Sequence, residues 1–409
     1  MARLFLTGTY KDGLLWVQKR LERLGNLIIR PDFGAGGVTI SDIDAIVFLG
    51  KQTNDYFVNH FSKSGFPVFA PSQDYKKILQ NPSLLKDLFG QENVVNYLES
   101  DSVRDLINFF DLQETHKKFV LKIYDSLSGE RIETLVATAE YLGIWLRDFM
   151  SKRPFSLDGS GINFVVGNYI DGAKFGLGAF FKNGQPLKPY TISVKSYQMF
   201  EGSNIYKELP VWVFRFPLLE DDLPVLNEWF DLLSNKISVG TNYVEINFIL
   251  SNDGKLVISS ITNRLDPTVL EIYNFGSILL GEESVLLNPH INDKFFVVSN
   301  LIISLQNESV LKIKSTENFD ELSVLRLRDD YYASMDWYAG YQTVYGSDVE
   351  ILLERVSSLA LFESPYLFCV KSKDILSELR TSLFLMHLNK LISSSRYMAV
   401  LPQINQEVK

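Results

Sequence analysis

Residues 243–267 read YVEINFILSNDGKLVISSITNRLDP, and the fold is decided by how this stretch is read. Residues 243–250 and 256–261 alternate with a period of two, which sends successive side chains to opposite faces of a β-strand. Between them stands Asn252-Asp253-Gly254, residue types that accept the positive φ a tight turn needs. A β-hairpin is predicted. Glu245 and Asn247 are two residues apart, so the first strand carries both on one face.

Upstream, an apolar strand over residues 3–6 runs through Thr7-Gly8-Thr9 into a helix-like stretch at 14–24 and a second strand at 26–29. The rhythm repeats with a strand at 45–49, an amphipathic segment at 55–62 and a strand at 67–69. Alternating strand and helix predicts a small parallel sheet with helices on its faces. Gly8 by itself does not complete a dinucleotide fingerprint and is read as a tight turn. Residues 75–110 read as a helical region. A strand at 119–123 with Lys122 at its middle follows, then a polar loop at 125–131 and a long helix at 133–150. Strands at 163–169 and 175–181 flank Asp171-Gly172. The tail has a strand-like run at 296–305, an apolar stretch at 359–370 and a helix at 372–392, read as a further α+β unit.

The chain has 409 residues, 46% of them hydrophobic, enough for two to four compact units. With 49 acidic against 40 basic side chains its formal charge is -9, so it lacks the basic footprint of a nucleic-acid binder. No stretch reaches the roughly 18 to 20 apolar residues of a membrane span, and residues 1–10 hold too short an apolar run for a signal peptide. The chain is accordingly read as mature from its first residue. Cys369 is the one cysteine and lies in an apolar run, which excludes an intrachain disulfide and fits a reducing cytoplasm. His60, His116, His290 and His387 are scattered and match no zinc-ligand spacing.

Several local strings, in order, resemble the glycinamide ribonucleotide synthetase family of ATP-grasp ligases. Gly65-Phe66-Pro67-Val68-Phe69-Ala70-Pro71-Ser72 resembles that family's Gly-Ile-Pro-Val-Phe-Gly-Pro-Ser. Phe119-Val120-Leu121-Lys122 is similar to its Val-Val-Val-Lys, and residues 165–172 are similar to its Val-Ile-Glu-Glu-Tyr-Leu-Asp-Gly. Asp253-Gly254-Lys255 through Asp266-Pro267 resembles its Asp-Gly and Asn-Ala-Arg-Phe-Gly-Asp-Pro segments, and Ser395-Arg396-Tyr397 the end of its last domain. The resemblance implies a multidomain α/β and α+β chain of ATP-grasp architecture. Residues 1–74 would be an N-terminal Rossmann-like (pre-ATP-grasp) parallel-sheet domain, 75–290 the ATP-grasp region with a flexible subdomain at about 115–182, and 291–409 a C-terminal α+β domain.

The chemistry implied is phosphorylation of a carboxylate by ATP, then displacement of phosphate by an amine, with ATP and magnesium as cofactors. Such chemistry needs lysines on the phosphates, a glycine-rich flap and carboxylates on the metal. By resemblance Lys122 is the phosphate-contacting lysine, Gly129 belongs to the flap at 125–132 and Asn168 to the nucleotide hinge beside Gly167. Arg264 and Asp266 fall in the catalytic loop. The family's magnesium-binding glutamate and asparagine fall on Ser260 and Thr262, which leaves Glu245 to supply the metal carboxylate. A second phosphate lysine falls on Pro82, two hinge-side glutamates on Ala173 and Lys174, and a substrate tract on Phe200-Glu201-Gly202-Ser203-Asn204.

Two functions are expected from this. One is an ATP-dependent carboxylate–amine ligase with a changed substrate, taking a nucleotide and a small molecule. The other is a non-catalytic descendant that keeps the scaffold as a binding, regulatory or assembly subunit with a protein partner. A third class, an interaction protein, is suggested by Tyr331, Tyr332, Trp337, Tyr338 and Tyr341, since aromatic side chains concentrate at interfaces. Neither nucleic acid nor a membrane is expected as a partner.

Overall fold

A computed structural model describes residues 2–8, 14–30, 42–49, 55–125, 131–152, 161–202, 205–218, 224–266, 268–281, 285–287, 291, 295–304, 310–312, 321–322, 324–328, 331–334, 338–358, 367–368, 370, 372–395 and 397–398. Gly129, Pro267 and Cys369, with Trp337 and the side chains of the neighbouring tyrosines, lie outside what is described.

Strand β1 (Arg3–Thr7), helix α1 (Leu14–Arg23) and β2 (Leu27–Ile29) form the first βαβ unit; β3 (Ala45–Phe48), α2 (Asp55–Lys63) and β4 (Val68–Pro71) repeat it. The sheet is parallel, ordered β2-β1-β3-β4, with Leu4 opposite Ile28 and Ala45 and Ile46 opposite Val68. Leu4, Leu6 and Val47 are buried from this sheet, and Val17 and Leu21 from α1 join the same core.

Helix α3 (Gln73–Gln80) starts at Ser72, whose Oγ accepts a hydrogen bond from the Tyr75 amide at 3.1 Å. Helix α4 (Leu85–Phe89), β5 (Tyr97–Ser100) and α5 (Val103–Asp111) follow. The region expected to be helical throughout is thus divided by a strand. Tyr97 pairs with Gly167 across β5, and the glycine leaves room for the tyrosine ring, a close approach that residue-by-residue periodicity cannot register.

Strands β6 (Lys118–Asp125) and β7 (Arg131–Thr138), helix α6 (Ala139–Lys152) and β8 (Ile162–Asn168) complete a lobe whose antiparallel sheet runs β5-β8-β6-β7. The helix expected from residue 133 therefore begins at Ala139. Residues 131–138 carry Ile132, Thr134, Val136 and Thr138 at alternate positions, and branching at Cβ favours the extended chain that β7 adopts against β6. One face of this sheet packs on α5 and α6 through Leu106, Phe110, Phe119, Leu142 and Leu146.

The core that follows is antiparallel. It consists of β9 (Gly172–Lys182), β10 (Gln185–Gly202), β11 (Ile205–Pro217), α7 (Pro224–Lys236), β12 (Gly240–Ser251), β13 (Leu256–Thr262), α8 (Val269–Ile272) and α9 (Phe275–Leu280). Its strand order is β13-β12-β9-β10-β11. The hairpin predicted at 243–261 is β12–β13: Gly254 takes φ 82°, and the Ser251 amide donates to the Lys255 carbonyl at 2.9 Å. The last part holds β14 (Phe296–Ser304), β15 (Val310–Lys312), β16 (Glu321–Leu322), β17 (Val324–Arg328), β18 (Tyr331–Ser334), β19 (Tyr338–Gly346), α10 (Val349–Ser358), β20 (Leu367–Phe368) and α11 (Ser372–Leu388). Strand β14 pairs with both β11 and β19, which makes this part continuous with the core sheet. No described helix is long and apolar enough to cross a membrane.

Two junctions position everything else. Gly240 and Thr241 of β12 pair with Pro71 and Ala70 of β4, joining the N-terminal sheet to the core. The far end of β11 pairs Tyr206 and Lys207 with Val136 and Leu135 of β7, joining the lobe to the core.

Candidate functional site

Strand alternation divides β12 into an apolar face and a polar one. Val244, Ile246 and Phe248 are fully buried in the main core, whereas Tyr243, Glu245 and Asn247 point the other way. Register aligns the polar face with its neighbours. Glu245 lies opposite Gly178 of β9 and Thr262 of β13, and Asn247 lies opposite Gly176 and Ser260. One strand further on, Thr191 faces Gly178 and Ser193 faces Gly176; Ser193 in turn faces Arg215 of β11. Four strands, β10 to β13, thus contribute hydroxyl, amide, carboxylate and guanidinium groups to one row, which the glycines of β9 cross.

The two glycines of β9 make this row possible. A Cβ on Gly176 would lie 2.7 Å from Glu245 Cδ, and one on Gly178 would lie 2.1 Å from the Tyr243 hydroxyl oxygen. Without β9 side chains, groups on β10 and β11 reach over that strand to β12. Lys195 Nζ forms an ion pair with Glu245 Oε1 and donates to Asn247 Oδ1 at 2.7 Å. Arg215 Nη2 donates to Glu245 Oε2 at 2.6 Å and to Asp266 Oδ2 at 2.5 Å. The same guanidinium reaches Tyr243 Oη at 2.9 Å, Thr268 Oγ1 at 2.6 Å and Thr191 Oγ1 at 3.2 Å. Arg215 is 0% exposed and Glu245 2%, so both charges are dry and each is matched.

Burial alone would raise the Glu245 pKa, but Lys195 and Arg215 outweigh it and bring the carboxyl down to about 2. Burial opposes the charge on Arg215 as well, and Asp266 and Glu245 more than restore it. The Tyr243 hydroxyl is raised well above its usual value, mainly by burial. It stays a neutral hydrogen-bond partner.

Lys122 lies on β6, in the lobe, and reaches β13 of the core. Its Nζ donates to Tyr97 Oη at 2.9 Å and to the Ser259 carbonyl at 3.3 Å, and it sits 4.5 Å from the centre of the Tyr97 ring. Tyr97 Oη itself donates to the Ser259 carbonyl at 2.5 Å, and the Val95 amide donates to the Ile258 carbonyl at 3.0 Å. Around these bonds Val95, Tyr97, Tyr124, Val165 and Val257 form a small apolar cluster. The inner face of the lobe is therefore packed against β13.

Of the other expected site residues, Asn168 is exposed at the end of β8 and Arg264 is exposed after β13. Asp266, two residues beyond Arg264, turns inward to Arg215 and Thr268. Lys174 pairs with Glu208 of β11 and lies 4.4 Å from the centre of the Tyr197 ring. Sequence reasoning passed over Lys195, Arg215, Tyr243 and Tyr97. The signal for Lys195 was present as Thr191, Ser193 and Lys195 alternating with Ile192 and Val194, beside Gly176 and Gly178 at the same spacing.

These residues do not fit a divalent cation. Both oxygens of Glu245 are taken by cations of the chain, and the residues facing Glu245 and Asn247 from β13 are the neutral Thr262 and Ser260. Among the described residues no group of three or more histidine, cysteine, aspartate or glutamate side chains is placed to hold a metal.

No protein-family model matches the chain, and no curated protein matches it significantly. Solved structures do. An L-amino acid ligase from Bacillus licheniformis superposes with a TM-score of 0.58 at 13% identity, over 90% of this chain and 98% of that one. A phosphoribosylamine–glycine ligase from Thermotoga maritima gives 0.56 at 12%, over 90% and 97%. The biotin carboxylase domain of a Hydrogenobacter thermophilus 2-oxoglutarate carboxylase, solved with MgADP, ADP and bicarbonate, gives 0.55 at 11%, over 100% and 99%. All three are ATP-grasp enzymes, and identities this low establish the fold alone: the chain has the ATP-grasp fold.

Proposed function

We propose that this ATP-grasp fold is a non-catalytic descendant of a carboxylate–amine ligase, related to glycinamide ribonucleotide synthetases, that serves as a binding or assembly subunit. The observation that carries the reading is the pairing of Glu245 with Lys195 and Arg215, which leaves its carboxylate no free oxygen for magnesium. The position of Lys122 supports it. A lysine that must meet incoming phosphates is here bonded to Tyr97 and the Ser259 carbonyl, so ATP would have to break those bonds and open the packed cluster at Val165 and Val257.

Each residue then has a structural task. Lys122 and Tyr97 tie the lobe to β13, Arg215 joins β11 to β12 and to the loop carrying Asp266, and Lys195 joins β10 to β12.

Calorimetric titration with ATP and a non-hydrolysable analogue, with and without magnesium and with Lys122→Ala as control, tests the proposal. The expected result is no magnesium-dependent binding. Magnesium-dependent heat that Lys122→Ala abolishes overturns it and favours instead the diverged ligase, with ATP and magnesium as cofactors.

A further inference from the structure

We infer that Lys195 is a tethered replacement for a metal ion: its ammonium fills a divalent-cation position bounded by Glu245 and Asn247, and removing it uncovers a cation site. The inference rests on the non-catalytic reading and gives it a cause, namely occupation of the site by the chain itself.

Three observations meet here. The first is the donor set. The ammonium is held by a carboxylate oxygen and an amide oxygen, Glu245 Oε1 and Asn247 Oδ1, and the hydroxyl residues Thr262 and Ser260 lie directly opposite these two across the β12–β13 pairing. Oxygen donors of this kind are what a hard divalent cation takes, and lysine accepts them as a hydrogen-bond donor. The second is reach. Lys195 stands on β10, separated from β12 by β9, and it crosses to Glu245 because Gly176 and Gly178 present no side chains between them.

The third is charge. Lys195 and Arg215 balance Glu245 and Asp266, so the row is neutral as it stands. Loss of Lys195 leaves one guanidinium against two carboxylates, a net charge of minus one at a place that solvent just reaches, since the Lys195 side chain is 11% exposed. An uncompensated carboxylate in such a place attracts a cation strongly. Arg215 still occupies Glu245 Oε2, which keeps the expected affinity modest.

Mn²⁺ titrations followed by electron paramagnetic resonance test this on the full chain, comparing wild type, Glu245→Gln, Lys195→Ala and Lys195→Ala/Glu245→Gln, with circular dichroism reporting the fold. Lys195→Ala is expected to bind one Mn²⁺ about tenfold or more tightly than wild type, and the double variant to lose it. A Lys195→Ala protein that folds only when Mn²⁺ is added supports the inference equally. A folded Lys195→Ala that binds no better than wild type overturns it, as does an unfolded one that Mn²⁺ does not rescue, or wild-type binding that Glu245→Gln abolishes. ATP turnover by the wild type would sink the non-catalytic reading and leave these metal results standing, so the two failures are distinguishable.

Discussion

Arg215 holds two carboxylates through one nitrogen, and without it Glu245 keeps Lys195 on one oxygen alone. Arg215→Met keeps much of the volume while leaving Glu245 and Asp266 short of their partner inside the protein. Removing one partner of a buried pair costs about 3–5 kcal/mol, and urea unfolding of the variant is expected to show a loss of that size. Acid has a milder version of the same effect. The folded Glu245 carboxyl titrates at about 2, below its ordinary 4.5, so its contribution to stability is fully present above pH 4.5 and is lost as pH falls toward 2. Wild type should therefore lose more stability than Glu245→Gln over that interval in unfolding measured at stepped pH. Equal slopes would mean that Glu245 is not held as described. Lys122, Glu245 and Asp266 were identifiable from their neighbours in the chain, because each lies in a short string with its own character. Their partners were not, because Lys195 lies 50 residues from Glu245 in sequence and Arg215 lies 30.

Strand β9 shows how an element serves a site by lacking side chains. Gly178→Ala places a methyl group where the Tyr243 hydroxyl stands, at 2.1 Å, and the chain cannot give way without moving β12 or Arg215. Overpacking of this kind costs about 1–3 kcal/mol. Thermal unfolding should show that loss, with partial recovery when Tyr243→Phe is added to remove the clashing oxygen. If the double variant is no better than the sum of the singles, the close approach is not the cause. The elements themselves were legible where period and turn chemistry coincide, as in β12–β13 and the N-terminal βαβ units. They were misread where one local cue stood by itself: β7 as the start of a helix, and β5 inside a helical run.

Across the whole molecule, the lobe from β5 to β8 is bound to the core on two sides. Strand β11 pairs with β7 at Tyr206 and Lys207, and Tyr97, Val95 and Lys122 bond to β13. A lobe held at both margins opens only with the core it is bonded to. Hydrogen exchange should accordingly give opening free energies for β6 and β8 within about 1 kcal/mol of those for β9 and β12, unchanged by ATP and magnesium. Lobe amides that exchange much faster, or that gain protection with nucleotide, would show an independently moving lid. Tyr97→Phe removes the hydroxyl that bridges to Ser259, and the gap between the two sets of amides should widen by about 1 kcal/mol.

Local sequence determined that a parallel βαβ sheet opens the chain, that residues 243–261 fold back as a hairpin, and that Glu245 and Asn247 share a strand face. Each follows from periods and turn residues that act over a few positions. The tertiary structure decided what that face meets. Whether a carboxylate on a strand takes a metal, a substrate or another side chain depends on the register of strands distant in sequence and on which of them is bare enough to be crossed. Here Gly176 and Gly178 let Lys195 and Arg215 reach Glu245, and the pairing of Tyr97 with Gly167 brings its ring and hydroxyl to Lys122. Charges buried at such distances can be stable only when matched in space, and that matching is set by the sheet rather than by the neighbours each residue has along the chain.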